Sequence, residues 1–214
     1  MEQDVAELVG ILLGDGCISV YNKNGKIHRR VKISLNAEDE KEYAEYVANL
    51  MERVLGKRPR LFFRPNEKTL DLLLFRKADI EYLTGIGMMT SPKAYRAKMP
   101  DQLVESALSL YTLRGYFDTD GCIAIVNNNG TVYPRLEMKV CQSPMLEQFV
   151  RILKRYGFKF GVYRLDKKMY RIQMNGPAQL KRWAELVGFS NPKNLRRYEM
   201  VAGVRFPPGT LSRI

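Results

Sequence analysis

Histidine is almost missing from this sequence: His28 is the single one among 214 residues. That excludes a histidine-rich metal site and disfavours a histidine-based triad, so any hydrolytic chemistry falls to carboxylates. Cysteine is nearly as scarce. Cys17, Cys122 and Cys141 are odd in number and show no zinc-type CxxC spacing, so they read as small buried residues in a reducing compartment. The apolar run Leu8–Leu13 falls far short of the roughly 20 residues that span a bilayer. Acids and Gln3 precede the first apolar residues, which is not how a signal peptide opens. The expected setting is therefore intracellular, in cytoplasm, nucleoid or an organelle matrix, with no membrane partner. Acids are also in deficit. Thirty-five lysines and arginines against 23 acids give a formal charge of +12 and a pI near 9.6, which points to a polyanionic partner. The basic residues are spread along the chain rather than gathered in a tail, which favours a broad binding surface.

What is present, twice, is one short phrase. Residues 8–16 read Leu-Val-Gly-Ile-Leu-Leu-Gly-Asp-Gly and residues 113–121 read Leu-Arg-Gly-Tyr-Phe-Asp-Thr-Asp-Gly, 105 positions apart. At the same offset Cys17-Ile18 matches Cys122-Ile123, Asn22 matches Asn127, Asn24-Gly25 matches Asn129-Gly130, and Arg30 matches Arg135. So long a period is no solenoid; it is the size of a small domain, and two fused, related halves follow. Each phrase is a mostly apolar helix stopped by glycine, with an acid in the last turn. A carboxylate there faces the negative end of the helix dipole, where cations are preferred. A divalent cation shared by Asp15 and Asp120 would resolve the conflict. Small residues at Gly10, Gly14, Gly115 and Thr119 would let the two helices approach.

The order of elements repeats as well. In the first half a helix over about 4–14 leads into a hairpin, Ile18–Asn22 and Lys26–Leu35, turning at Asn24-Gly25, a strong hairpin cue. A helix over 37–55 follows, with Glu38-Asp39-Glu40 as its solvated acidic opening. Strands 58–64 and 69–75 and a helix over 77–86 complete the half. The second half offers a helix over 102–118, a hairpin turning at Asn128-Asn129-Gly130, a helix over 144–156, strands 159–165 and 169–175, and a helix over 177–187. The fold class is α+β: two pseudo-symmetric αββαββα half-domains, 1–87 and 102–214, joined by a linker over 88–101. Their four-stranded antiparallel sheets are expected to form the two sides of a saddle about an approximate two-fold axis through the motif helices. The exits match too, Ser91-Pro92-Lys93 against Asn191-Pro192-Lys193. The stretch Pro207–Gly209 reads as an irregular end.

Strand alternation separates the two faces of each sheet. Ser19, Tyr21, Lys23, Lys26, His28, Arg30, Lys32 and Ser34 make one side polar and basic, while Ile18, Val20, Ile27, Val31, Ile33 and Leu35 make the other apolar, Arg29 apart. Arg58, Arg60, Phe62 and Arg64 are expected to extend the basic face, and Asn128, Thr131, Tyr133, Arg135, Lys139, Arg171 and Gln173 to form its counterpart. Such faces suit a DNA duplex: ribbons read base edges in the major groove while most of the charge grips phosphates. Asp15 and Asp120, with the carbonyls of Gly14 and Thr119, are expected to hold Mg²⁺ over two scissile phosphates, since this ion takes a few oxygen ligands and keeps several waters. Mn²⁺ is expected to substitute, and Ca²⁺ to support binding without cleavage.

The two phrases resemble the motif of the LAGLIDADG homing endonucleases in their single-chain form. The first departs at Leu13 and Gly14, the second at Arg114, Tyr116 and Phe117, but both keep the final acid and the glycine after it. The resemblance implies a monomer that breaks double-stranded DNA across the minor groove and leaves short 3′ overhangs. It also implies polar and basic helpers around each acid. Gln142 is the candidate for water positioning, with Asn36 rather than Leu35 as counterpart. Lys77 or Arg76 would supply positive charge, with Asn175 opposite. Asp118, with no matching acid at Leu13, reads as structural. Maturases of intron RNA and non-cleaving nucleic-acid-binding relatives share this fold and stand as alternatives, so intron RNA is a second possible partner.

Overall fold

The computed structural model describes residues 1–203; the expected irregular end at Pro207–Gly209 lies outside them. Helix α1 (Glu2–Leu13) leads into β1 (Gly16–Lys23) and β2 (Lys26–Asn36), then α2 (Lys41–Leu55), β3 (Arg60–Phe63), β4 (Thr69–Leu74) and α3 (Lys77–Gly85). After a short α4 (Asp101–Val104) the series repeats. It runs α5 (Ser109–Asp120), β5 (Gly121–Asn128), β6 (Thr131–Cys141), α6 (Pro144–Arg155), β7 (Gly161–Arg164), β8 (Met169–Asn175) and α7 (Pro177–Leu186), with an added α8 (Pro192–Ala202). Two antiparallel four-stranded sheets result, ordered β1-β2-β4-β3 and β5-β6-β8-β7. Both long hairpins turn on a residue pair with positive φ, Asn24-Gly25 (52° and 75°) and Asn129-Gly130 (49° and 82°). That geometry suits the right-handed twist of the strands and explains why Asn-Gly stands at both turns.

The inward series of the strands makes the core. Val31, Ile33 and Leu35 of β2 and Leu70, Leu72 and Leu74 of β4 are buried together with Tyr43, Val47, Leu50 and Met51 of α2. In the other half Leu136, Met138 and Val140 of β6, with Ile172 and Met174 of β8, share the core with Phe149, Ile152 and Trp183. Each such aliphatic side chain contributes on the order of 1.5–3 kcal/mol on burial. The opposite face of each sheet stays uncovered. None of the described helices is long and apolar enough to cross a membrane.

The halves meet along α1 and α5, closer than ordinary side chains allow. A Cβ on Gly10 would lie 2.1 Å from the Thr112 carbonyl oxygen, and one on Gly115 would lie 2.2 Å from the Glu7 carbonyl oxygen. The reciprocal clash shows backbone packed on backbone. Beside this contact Arg114 of α5 pairs with the buried Glu7 of α1, whose carboxylate also accepts from the Tyr46 hydroxyl at 2.9 Å. The arginine that departs from the family phrase is thus the counter-ion of a buried acid.

Three expectations need correction. The helix foreseen over 102–118 is broken: α4 stops at Val104 and α5 starts at Ser109. The Ser106 hydroxyl accepts from the Leu108 N–H at 3.2 Å, and a serine bonding nearby backbone competes with helix continuation. Glu40 stands at the N-cap of α2 as expected, but it is half-buried rather than solvated, unlike Glu38 and Asp39. Its carboxylate accepts from the Asn36 N–H and from the Asn191 side-chain amide, both at 3.0 Å, so it ties α2 to the start of α8. The third is α8 itself, unforeseen although Asn191-Pro192 spells a helix start; the Asn191 side chain accepts from the Lys193 N–H at 3.0 Å. Asp118, read as structural, anchors that helix. Its buried carboxylate accepts from the N–H groups of Ser190 (2.6 Å) and Asn191 (2.9 Å) and from the Asn194 amide (2.9 Å). The connecting stretch is also packed: the Gln148 side-chain amide closes two hydrogen bonds with the Met99 backbone, at 2.8 and 3.0 Å.

Gly115→Ala is expected to cost about 3 kcal/mol or more, since the new methyl meets backbone that cannot move aside. Gly85→Ala, with nothing within 4 Å of the added methyl, should stay within about 1 kcal/mol of the parent. Urea unfolding of the two variants reads the difference.

Candidate metal centre and nucleic-acid interface

The backbone contact between α1 and α5 brings two acids to one spot. Gly14 caps α1, its N–H donating to the Gly10 carbonyl at 3.1 Å, and the Asp15 carbonyl accepts from the Ser34 N–H at 3.2 Å. Asp120 is the last residue of α5, and Gly121 opens β5 in an extended conformation. A Cβ on Gly14 would lie 2.0 Å from the Thr119 hydroxyl oxygen and 2.5 Å from Asp120 Oδ2. Asp120 therefore presses its carboxylate against the residue just before Asp15. Solvent reaches Asp15, yet the surrounding protein encloses it on most sides. Its carboxyl is pushed up to about 7 by burial first, then by the charges of Asp120 and Glu40, with the Lys93 ammonium opposing them. Burial also holds the Asp120 carboxyl above its ordinary value, against the pull of Lys93, the Thr119 hydroxyl and Lys139.

Lys93 is the residue the sequence reading passed over. Its ammonium donates to the carbonyls of Leu12 (3.2 Å) and Leu13 (2.7 Å) and to that of Gly14. Burial lowers its pKa, while Asp120, Asp15, Cys17 and Cys141 favour its charged form. A cation from the connecting stretch thus occupies the negative end of α1, where a helix dipole favours one. The matched Pro-Lys exits were its signal, but the match fails in space: Lys193 is exposed in the first turn of α8.

The acids fit a divalent cation. Two carboxylates packed together with raised pKa values form a like-charge pair that one ammonium relieves only in part. Among the described residues no group of three or more His, Cys, Asp or Glu side chains converges to hold a metal. Main-chain oxygen, water and substrate oxygen would complete the shell, as suits Mg²⁺. The Gly14 carbonyl, expected among the ligands, already accepts from the Lys93 ammonium.

The registers place the basic series on the uncovered faces. Ser19 opposes Arg30, Tyr21 opposes His28, Lys23 opposes Lys26 and Cys17 opposes Lys32; His28 stacks on Tyr21 with ring centroids 5.2 Å apart. Ser34 opposes Asp71 and Arg60 opposes Leu73. In the other sheet Asn128 opposes Thr131, Tyr133 opposes Val126, Arg135 opposes Asn175, Gln173 opposes Glu137 and Lys139 opposes Arg171. Two acids on these faces went unremarked, Asp71 and Glu137. Asp71 accepts from the Ser34 hydroxyl at 2.6 Å and from Arg64 Nε at 2.8 Å. Burial works to raise its pKa, but those two bonds and Lys32 outweigh it and hold the carboxyl below its ordinary value.

Other expected site residues stand elsewhere. Arg58 precedes β3 and turns back onto α2, binding Asn49 at 2.6 Å and pairing with Glu45 and Glu52, so it leaves the basic face. Lys77 is exposed and pairs with Glu81 at 3.1 Å, and Arg76 is held by Asp79 at 3.1 Å. Both lie past the end of β4, where α3 captures their charges. Gln142 follows the last residue of β6, and the register makes Cys141, not Gln142, the counterpart of Asn36. Gln142 opens onto a groove with Tyr95, Ser143 and Tyr170, while the Asn36 side chain accepts from the N–H groups of Glu38 and Asp39. Asn175, the last residue of β8, accepts from the Gln173 amide at 2.9 Å. The cysteines are free but not buried: Cys122 is exposed and Cys17 and Cys141 are half-buried. Ile18 and Ile123 take the inward positions beside Cys17 and Cys122.

Because Asp15 titrates at about 7, a metal must displace its proton below that pH. Mn²⁺ affinity of the DNA-free protein is therefore expected to climb up to roughly ten-fold per pH unit from pH 5.5 and to level off above about pH 7. Calorimetric titrations in buffers of different ionisation enthalpy read both the slope and the released proton.

A family model described as the LAGLIDADG DNA endonuclease family matches residues 6–180. Among solved structures the chain is similar to the LAGLIDADG meganuclease I-AabMI bound to uncleaved DNA, at 12% identity and a TM-score of 0.65 over 92% of this chain and 89% of that one. It is similar to meganuclease I-SmaMI bound to uncleaveable DNA, at 8% identity and a TM-score of 0.68 over 94% and 91%. It is also similar to I-DmoI in complex with DNA and Mn, at 16% identity and a TM-score of 0.63 over 89% and 98%. At such identities the likeness is one of fold. Among curated proteins, the Replication factor C small subunit of Methanocaldococcus jannaschii is 24% identical over 204 residues, 91% of this chain and 10% of that protein. The chain thus spans about a tenth of the length of the curated relative it matches.

Proposed function

We propose, because this chain belongs to the LAGLIDADG DNA endonuclease family, that it is a site-specific homing endonuclease working as a single chain on a long DNA duplex. It hydrolyses one phosphodiester in each strand with Mg²⁺ and leaves short 3′ overhangs. The observation that carries this reading is the meeting of Asp15 and Asp120 at the tips of two tightly packed helices, between two basic sheet faces.

Asp15 and Asp120, with the Thr119 carbonyl and water, are the groups that would hold the cation, each acid serving the strand on its own side. When bound, Mg²⁺ supplies positive charge against the developing phosphate charge and lowers the pKa of water. Lys93 adds a cation already fixed by main-chain carbonyls, so it needs no reorganisation as negative charge builds. Lys139 acts beside Asp120. The basic faces grip phosphates on both sides of the acids and hold the scissile bonds for in-line attack. I-DmoI has been solved with DNA and Mn and with DNA and Ca. For this chain Mn²⁺ is expected to replace Mg²⁺, and Ca²⁺ to support binding alone.

Asp120→Asn is expected to abolish double-strand cleavage while binding in Ca²⁺ stays within about three-fold of the parent, because the amide keeps shape and loses charge. A target found by sequencing the ends cut from a DNA library supplies the substrate. Unchanged cutting by this variant would remove the acid from the mechanism.

A further inference from the structure

We propose that Glu137 is a positioning residue that presents Arg135 and Arg171 as a pair of guanine readers, concentrating base discrimination on the β5–β8 sheet. The inference rests on the DNA-binding reading above and specifies which residues of that surface read sequence.

Glu137 lies on the uncovered face between the two arginines. Arg135 Nε stands 3.2 Å and Arg171 Nη1 3.5 Å from the same oxygen, Oε2. All three side chains are largely withdrawn from solvent, at 21%, 29% and 19% exposure for Arg135, Arg171 and Glu137. The Arg171 guanidinium also rests 5.7 Å from the centre of the Tyr163 ring. The attraction is by proximity, and the hydrogen bonding is unfinished: Arg135 Nε, Arg171 Nε and Glu137 Oε2 are buried without a hydrogen-bond partner. A guanidinium steered on one side by a carboxylate keeps its remaining N–H groups for the groove, where arginine bonds guanine O6 and N7 in bidentate fashion. Pre-ordering the side chain reduces the entropy lost on contact.

The repeat supplies an internal control. Arg30 occupies the position equivalent to Arg135, but two residues along its strand stands Lys32 where the other half has Glu137. Arg30 Nε is likewise buried without a partner, and no carboxylate sits at that place to steer it. A cation with no carboxylate to orient it, beside the second cation Lys32, suits a phosphate, which demands charge rather than orientation. The acid of the first sheet cannot do for Arg30 what Glu137 does for Arg135. Asp71 is engaged by Ser34 and Arg64, and Arg64 spends its remaining group on Glu67 at 3.1 Å.

The test is enrichment of bound duplexes from a randomised DNA library in Ca²⁺, with affinities followed against salt. The wild type is expected to favour guanine at two positions under the β5–β8 sheet. Arg135→Lys and Arg171→Lys should each lose one of these preferences. Glu137→Gln should relax both by about ten-fold while binding unselected duplex at least as well, since a negative charge has gone. Arg30→Ala should weaken all sequences alike and shrink the salt slope by about one. Guanine preference retained in Glu137→Gln, or lost affinity spread evenly over all sequences, overturns the assignment. The two lysine variants decide the matter if Glu137→Gln does not fold. Failure of the wild type to bind any duplex would instead overturn the nuclease reading, and this assignment with it.

Discussion

Two helices whose backbones touch set the terms for everything else in this protein. Gly10 and Gly115 each sit where any side chain would strike the other helix. With no room to separate, the acids at the two helix tips must share one small volume. The cost is electrostatic: both carboxylates are forced toward protonation by burial, and Asp15 also by its neighbours. A packing decision made about one and a half turns upstream therefore creates a site that is incomplete without positive charge. The protein supplies one unit itself through Lys93 and leaves the rest to what binds.

The two sides of that site are not equivalent. Asp15 has Glu40 as an adverse neighbour, and the strand position beside it is Ser34, tied to Asp71. Asp120 has Lys139 at the matching position, opposite Arg171. The same exchange continues outward, where Lys32 in one sheet corresponds to Glu137 in the other. A duplication that began with two like halves has become a surface of different local charge on its two sides.

Much of this was legible in the chain. The repeated phrase gave away the two halves, and Asn-Gly gave both hairpin turns. Period-two alternation separated core from uncovered face along the inner part of the first hairpin, where Ile18, Val31, Ile33 and Leu35 are buried. Val20 and Ile27, assigned to the same apolar side, stay exposed near the turn because no helix reaches that far. What escaped notice depends on contacts distant in sequence. Lys93 lies in a connecting stretch, and only the folded path carries its ammonium 80 positions back to Leu13. Arg58 looks like the first member of a basic strand, but β3 begins only at Arg60 and the acids of α2 hold the arginine; Lys77 opens α3, where Glu81 one turn on takes its charge. Asp71 and Glu137 were overlooked because an acid in a basic series reads as an interruption, whereas in space each organises the bases around it. Helix α8 is masked in the sequence by the likeness of Asn191-Pro192, a strong start signal, to Ser91-Pro92, which starts no helix.

The contact at the helix tips also decides how the halves can be combined. Gly14 leaves the space that Thr119 fills, and Glu7 finds its counter-ion in Arg114. At the positions equivalent to Glu7 and Arg114 the sequence has Thr112 and Val9, so neither interaction recurs across the axis. Two copies of the first half would bury Glu7 against Val9, an unmatched charge costing about 3–5 kcal/mol. Two copies of the second would drive one threonine into the other. The halves have become lock and key to each other, and descent from a symmetric ancestor is no longer reversible by simple dimerisation of either piece.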